Sequence, residues 1–476
     1  MRKPLSMFAV IAGLALAGCT LIPKYQRPAP AIAPAWPAEA RQAAGPTNAT
    51  IRAADIGWRQ FFRDARLRQL ITLALSNNPD LRAATLNVQQ TRALYAVQGN
   101  ALIPTGNINA NATRQRIAYG YAGHGNSTTY SQYNVNLGVA SYELDLFGRV
   151  RSLKRQALET YFASEEARKS AQIALVSQVA GAYLMEREAA DQLSVARETL
   201  AAANTDYELS QRSHDEGVLS DIQLNAVQAQ MDIDRVLVAN YQQQFVQARD
   251  ALALLVGRPL PNGLTPAKPF NPKICLADIP AGLPSDLLER RPDILEAEHQ
   301  LKAANANIGA ARAAFFPTVT LTGSAGTAST TLESLFAPGS ETWAFSPQIV
   351  WPIFGARTAW DELQAIKAQK LIAAAQYQKA VQTAFREVAD SLAARTNLKI
   401  QLSANEGLVA ADGKNYQLAQ ALFSHGVDSQ LDVLAAREAL DSVRQSLIQS
   451  RYSRLFNLIN LYQALGGGWR ENSPGK

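Results

Sequence analysis

Side chains able to do chemistry are few in this chain. The four histidines are His124, His214, His299 and His425, and none belongs to a metal-binding pair such as His-Glu-x-x-His. Glu296 and His299 lie three residues apart and would share a helix face, which could supply half of a metal site. Such a pair is, however, the ordinary content of a solvated polar face. No Gly-x-Ser-x-Gly elbow is present to expose a serine nucleophile, and no glycine-rich loop to cradle a phosphate. The expectation is a chain that is not an enzyme and holds no metal or cofactor.

The two cysteines lead elsewhere. Arg2 and Lys3 followed by an apolar run from Phe8 to Ala17 form an export signal, and the run is too short to span a bilayer as a helix. It ends in Leu16-Ala17-Gly18-Cys19, which resembles the bacterial lipobox, whose cysteine is acylated and becomes the new N-terminus. Cys19 is therefore the candidate lipid-attachment residue, carrying a palmitate-type acyl group. The competing reading, an ordinary signal peptide with a chance cysteine, needs position and spacing to coincide. Once Cys19 is acylated only Cys275 is left, so no internal disulfide can form and stability must come from packing. Loss of Arg2 and Lys3 lowers the formal charge from +6 to +4, and nothing points to a nucleic-acid partner.

The elements around these residues are built twice. Asn78-Pro79-Asp80-Leu81 matches Arg291-Pro292-Asp293-Ile294, and Leu102-Ile103-Pro104-Thr105 matches Phe315-Phe316-Pro317-Thr318, both at an offset of 213. Phe147-Gly148 pairs with Phe354-Gly355, Gly217-Val218 with Gly426-Val427, and Val256-Gly257 with Leu465-Gly466. After the proline of each copy the residues alternate with period two. Thr318, Thr320, Thr322 and Ser324 oppose Val319, Leu321, Gly323 and Ala325, and Asn107, Asn109 and Asn111 oppose Ile108, Ala110 and Ala112. The alternation returns before each Phe-Gly pair, with Tyr133, Val135, Leu137 and Val139 in one copy and Trp343, Phe345, Ile349 and Trp351 in the other. Four strands result, each long enough to cross a membrane in a tilted barrel, with aromatics on the fourth that suit an interfacial girdle. A soluble hairpin with one wet face shares this pattern.

Between the hairpins, 149–214 and 357–425 contain no proline and very little glycine. A helix of that length would run about 100 Å. Apolar residues at spacings of three and four, Ile173, Val176, Ala180 and Tyr183 in one copy and Val381, Phe385, Val388 and Leu392 in the other, give a coiled-coil-like seam. Each long helix reaches a glycine, Gly217 or Gly426, from which a second helix returns. A sheet of four strands with two open edges cannot sit alone in lipid, because unpaired backbone groups find no water there. Two chains would close an eight-stranded barrel nearly filled by side chains, whereas three would close twelve strands around a passage. A homotrimer is expected.

Several stretches resemble one family. They are Ala54 through Trp58 to Leu81, Tyr142-Glu143-Leu144-Asp145-Leu146-Phe147-Gly148-Arg149, Ala281 to Leu288 with Arg290-Arg291-Pro292-Asp293 and on to Phe316-Pro317, and Leu465-Gly466-Gly467-Gly468-Trp469. Together they look like OprM-type members of the TolC family, over essentially the whole mature chain, lipobox included. The resemblance implies a mixed α and β membrane protein: a trimeric twelve-stranded transmembrane β-barrel, four strands per chain, continued by a long periplasmic α-helical barrel with an equatorial mixed region. It implies a periplasmic adaptor and an inner-membrane transporter of the resistance-nodulation-division (RND) class as partners, besides outer-membrane lipid. Thr20, where an aspartate would retain the protein at the inner membrane, implies sorting to the outer membrane of a Gram-negative cell. The function implied is the exit channel of a tripartite multidrug efflux pump, passively conducting drugs outward, as in antibiotic resistance.

A gate is expected at the helical tips. Around the second tip lie Asp428, Leu431 and Asp432, and around the first Asp221 and Ile222. Three leucines can close a narrow bore by dewetting, and aspartate rings favour cations. In OprM-like proteins a leucine and an aspartate four residues later form constrictions here. Leu431 matches the leucine, but Ala435 stands in place of the aspartate. Asp428 or Asp432 could replace it, although acidic residues at a helix start also simply complement the helix dipole.

The expected organisation is a signal peptide over 1–18, a lipidated equatorial segment over 19–65, a first repeat over 66–256, an equatorial linker over 257–283, a second repeat over 284–465 and an equatorial tail over 466–476. The β-hairpins fall at 104–146 and 317–352, and the tips near 217 and 426. Competing readings are the outer duct of a type I protein secretion or metal-efflux system, and a non-conducting structural envelope lipoprotein.

Overall fold

The computed structural model describes residues 20–29, 32–41, 53–118, 127–265, 270–276, 279, 287–427 and 429–473. The signal segment, Cys19, His124 and Asp428 lie outside the described residues. The fold is mostly helical with four strands: α1 (Ala65–Asn77), α2 (Pro79–Asn100), β1 (Gly106–Ile117), β2 (Thr128–Leu144), α3 (Arg149–Asp215), α4 (Asp221–Val256), α5 (Pro292–Ala313), β3 (Thr318–Ser329), β4 (Glu341–Val350), α6 (Ala356–Ser424) and α7 (Gln430–Ala464). Single helical turns occur at Ala38–Arg41, Trp58–Phe61 and Leu287–Arg290. No described helix is long and apolar enough to cross a membrane.

The chain divides into two compact units, neither of which follows the sequence repeat. The first unit takes the described parts of Met1–Ala29, Asn87–Ser164 and Glu296–Tyr377. It holds the antiparallel sheet, ordered β1-β2-β3-β4, so the hairpins of both copies pair side by side. The alternation of the sequence becomes two chemically distinct faces. Ile108, Leu137, Ala325 and Trp343 form one cross-strand row, and Asn109, Asn136, Gly326 and Thr342 the neighbouring row on the opposite face. Asn109 Nδ2 donates to Asn136 Oδ1 across that polar face at 3.3 Å.

β2 carries one residue more than its partner can pair. Val139 lies opposite Gly323 and Tyr142 opposite Leu321, so three steps on β2 match two on β3. Ser141 takes the extra step at φ 54°, the only described residue other than glycine with positive φ. Without this bulge the period of two would turn Tyr142 and Leu144 to the polar face.

The same unit also fastens the start of the described chain. Arg312 Nη1 donates to Leu21 O at 3.2 Å, Asn305 Nδ2 to Pro23 O at 2.9 Å, and Arg27 Nε to Glu298 Oε1 at 3.1 Å. Thr20 to Arg27 thus runs back along α5, with its first residues beside the end of α5 that leads into β3. Glu298 is almost wholly buried; burial alone would raise its carboxyl, but bonds from Arg27 and Lys302 hold it below the usual range.

The second unit takes the described parts of Pro30–Leu86, Glu165–Leu295 and Gln378–Lys476. Its core gathers three chain segments. Phe61 stacks on Tyr462 with ring centroids 3.9 Å apart, Phe62 meets Phe61 edge-on at 4.7 Å, and Tyr462 Oη donates to Ile56 O at 2.6 Å. Fully burying each phenylalanine contributes roughly 1.5–3 kcal/mol. Phe62 also forms a β-bridge with Cys275, and Trp58 N donates to Arg470 O at 3.0 Å. Cys275 is a free, buried thiol, and burial pushes its ionisation far up, which leaves it unreactive.

The duplication persists in three dimensions with changed side chains. Asn78 Nδ2 donates to Leu255 O near the end of α4 at 2.9 Å, and Arg291 Nη1 to Ala464 O at the end of α7 at 2.8 Å. An amide and a guanidinium therefore perform the same task, joining the start of one helix to the last carbonyls of another.

Candidate functional site

Two places have the geometry of function: the sheet in the first unit and the helical tips in the second. At the sheet, both outer strands have open edges among the described residues, and Trp343, Phe345, Ile349 and Trp351 of the β4 region are all exposed. Pro347, which lacks a backbone donor, sits on β4, an edge strand of the single chain. The passage from β2 into α3 is fixed by the acidic residues of the segment 142–149. Asp145 accepts from Val150 N and Arg151 N, each at 3.0 Å, and so caps the first turn of α3, where a negative charge is favoured. Arg151 Nε returns to Asp145 at 2.9 Å, and Arg149 Nε donates to Glu143 at 2.8 Å.

Each tip is a helix ended by a left-handed glycine. Gly217 has φ 76° and Gly426 φ 73°, and the following valines donate back to Ser213 O and Leu422 O. This is the αL termination that only glycine adopts without strain. A capping box then starts the return helix: Ser220 with Gln223 in the first copy, Ser429 with Asp432 in the second. Asp221 opens α4 and receives His214 Nε2 at 2.7 Å. This hydrogen bond, supported by Asp215, raises the His214 imidazole above its ordinary value despite some desolvation. Ile222 is exposed, and Leu431 is 51% exposed on the first turn of α7, one turn ahead of the exposed Ala435. Gln430 Nε2 donates to Ser210 Oγ at 2.8 Å, linking α7 to α3 at the second tip.

Further along, Arg437 of α7 is buried between helices. It meets Asp206 of α3 at 2.6 Å and also donates to Thr199 O. Among the described residues no group of three or more metal-ligating side chains converges. Glu296 accepts from Gln300, while His299 Nδ1 lies 2.7 Å from Glu159 Oε2.

The model of the family described as outer membrane efflux protein matches residues 70–258 and 283–467, the two copies in turn. The chain belongs to that family. Among outer membrane efflux proteins it is 47% identical to the toluene efflux pump outer membrane protein TtgC of Pseudomonas putida over 475 residues, covering 99% of this chain and 97% of that one. It is 39% identical to outer membrane protein OprJ of Pseudomonas aeruginosa, over 99% of this chain and 98% of that one. The crystal structure of the open state of the MtrE outer membrane channel of Neisseria gonorrhoeae superposes with a TM-score of 0.86 at 38% identity, covering 96% of this chain and all of that one. This efflux protein is therefore an outer-membrane protein, and its family is one of channels rather than enzymes.

Of the residues singled out from sequence, the structure places Asp221 and Ile222 together at the first tip and Leu431 and Asp432 together at the second. Cys19 and Asp428 fall outside the described residues. Asp432 is engaged in the capping box, which favours its role as a helix-start charge. Sequence reading missed Arg437 and Asp206. They are 231 residues apart, and Arg437 is one of four arginines in α7, with nothing local to single it out.

Proposed function

We propose that three copies of this chain form the passive exit channel of a tripartite multidrug efflux pump. The cargo would be handed over by a periplasmic adaptor from an inner-membrane RND transporter, which supplies the energy. One observation carries this reading: a four-stranded sheet with an apolar face, a polar face lined by Asn109, Asn136 and Thr342, and open edges at β1 and β4. In hydrocarbon those edges need partners, and β1 of one copy meeting β4 of the next satisfies them. Twelve strands would then enclose a lumen lined by the asparagine face.

Three Leu431 side chains would narrow the periplasmic end, and acylated Cys19 would anchor each chain in the outer membrane. The description of TtgC as part of a toluene efflux pump supports a small-molecule cargo of apolar character. Native mass spectrometry of the mature chain in detergent should give the mass of a trimer, and the same material should conduct ions across planar bilayers. A monomer that stays soluble without detergent and does not conduct would overturn the proposal.

A further inference from the structure

Away from the tip residues, α3, α4 and α7 enclose a half-open cavity of about 170 Å³. Its charged lining is entirely acidic: Asp234 from α4, with Glu438 and Asp441 from α7. The nearby cations are already committed, two of them to Asp441 itself. Arg437 is held by Asp206 at 2.6 Å and lies 3.7 Å from Asp441, Arg444 lies 3.5 Å from Asp441, and Arg235 lies 2.8 Å from Asp232.

Asp234 is the group this arrangement leaves unsatisfied. It is only 3% exposed. Its Oδ1 accepts from Gln230 Nε2 at 3.3 Å, while its Oδ2 is buried with no hydrogen-bond partner. Such an oxygen, taken from water and given nothing in return, is costly to keep. Burial accordingly holds the carboxyls of both Asp234 and Asp441 above the usual range, even with Arg437 nearby. A cationic donor would satisfy Oδ2 and offset the like charge of Glu438, since Asp441 already faces Arg437 and Arg444.

We propose that this cavity binds a small organic ammonium ion, a short alkyl amine or diamine. Ala196, Ile233 and Leu237 supply the apolar part of the lining and would take the methylenes, while the ammonium N–H groups face the carboxylates. A bare metal ion would fill little of this space, and the carboxylates do not converge as a metal-ligating group.

Calorimetric titration of 1,4-diaminobutane into the full chain in detergent tests the assignment. Saturable binding at one site per chain is expected, weakened about tenfold or more by Asp234→Asn. Leu237→Trp, which keeps every charge and fills the space, should weaken it comparably, whereas Asp232→Asn on the exposed face of α4 should leave it unchanged. No saturable binding of the diamine would overturn the proposal, as would equal affinity in the Asp234→Asn and parent chains. Binding of calcium at Asp234 in place of the diamine would overturn the ligand class.

Discussion

At the first tip Gly217 reverses the chain at φ 76° and Ser220 caps the returning helix; at the second, Gly426 does so at φ 73° and Ser429 caps it. The side chains mounted on these matching frames differ. His214 reaches across the first turn to Asp221, whereas His425 Nδ1 lies 2.8 Å from Ala421 O of its own helix. Ile222 is 79% exposed, while Leu431 is 51% exposed beside Gln430, which is tied to Ser210. Duplication preserved the backbone device and left the surface chemistry free to diverge, and the closure proposed at Leu431 would fall on the second tip alone.

The sharpest way to break this contrast is conductance. Leu431→Ser should raise single-channel conductance in planar bilayers several-fold, and Ile222→Ser should leave it close to the parent value; the reverse order would move the closure to the first tip. Backbone equivalence predicts a smaller, symmetrical effect. A Cβ built on Gly217 or Gly426 meets nothing within 4 Å, so alanine at either position costs only the left-handed strain, about 1–2 kcal/mol. The two variants should lower Tm equally, and unequal losses would show that the frames are not interchangeable.

The smallest expected effect separates the histidines. With its folded-state value raised, His214 gives stability that is fully present below its unfolded value of 6.5 and lost as pH rises through the higher folded value. Hydrogen exchange over 213–223 should therefore quicken as pH climbs past neutrality, beyond the intrinsic rate. Asp221→Asn should weaken that dependence, leaving the smaller part that Asp215 supplies; an undiminished dependence in the variant would show that the Asp221 pair is not its source.

The parts legible in sequence were those where a local pattern meets one environment along its whole length. Alternation of Asn107, Asn109 and Asn111 with Ile108, Ala110 and Ala112 reads as a strand because its two faces see different surroundings. The absence of proline from 149–214 reads as one helix because nothing interrupts its hydrogen bonds. Gly217 and Gly426 punctuate visibly. Contacts between distant segments were not legible. Nothing local to Asp234 shows that α3 and α7 bury it, and nothing local to Arg27 shows that Glu298 receives it, 271 residues away. The bulge stood between these cases, since apolar residues step by two to Val139 and then by three to Tyr142, a slip of phase visible in the sequence itself.

That slip makes one position a phase corrector for everything that follows it on β2. Deleting Ser141 would leave composition and hydropathy nearly untouched, yet Tyr142 and Leu144 would exchange sides with Glu143. Asp145, just beyond, would then start α3 from a rotated strand end. A one-residue deletion there should be far more damaging than one in the connection between β3 and β4, where no sheet register lies downstream on the same strand. The wall of the sheet thus has a reading frame, and Ser141 keeps it.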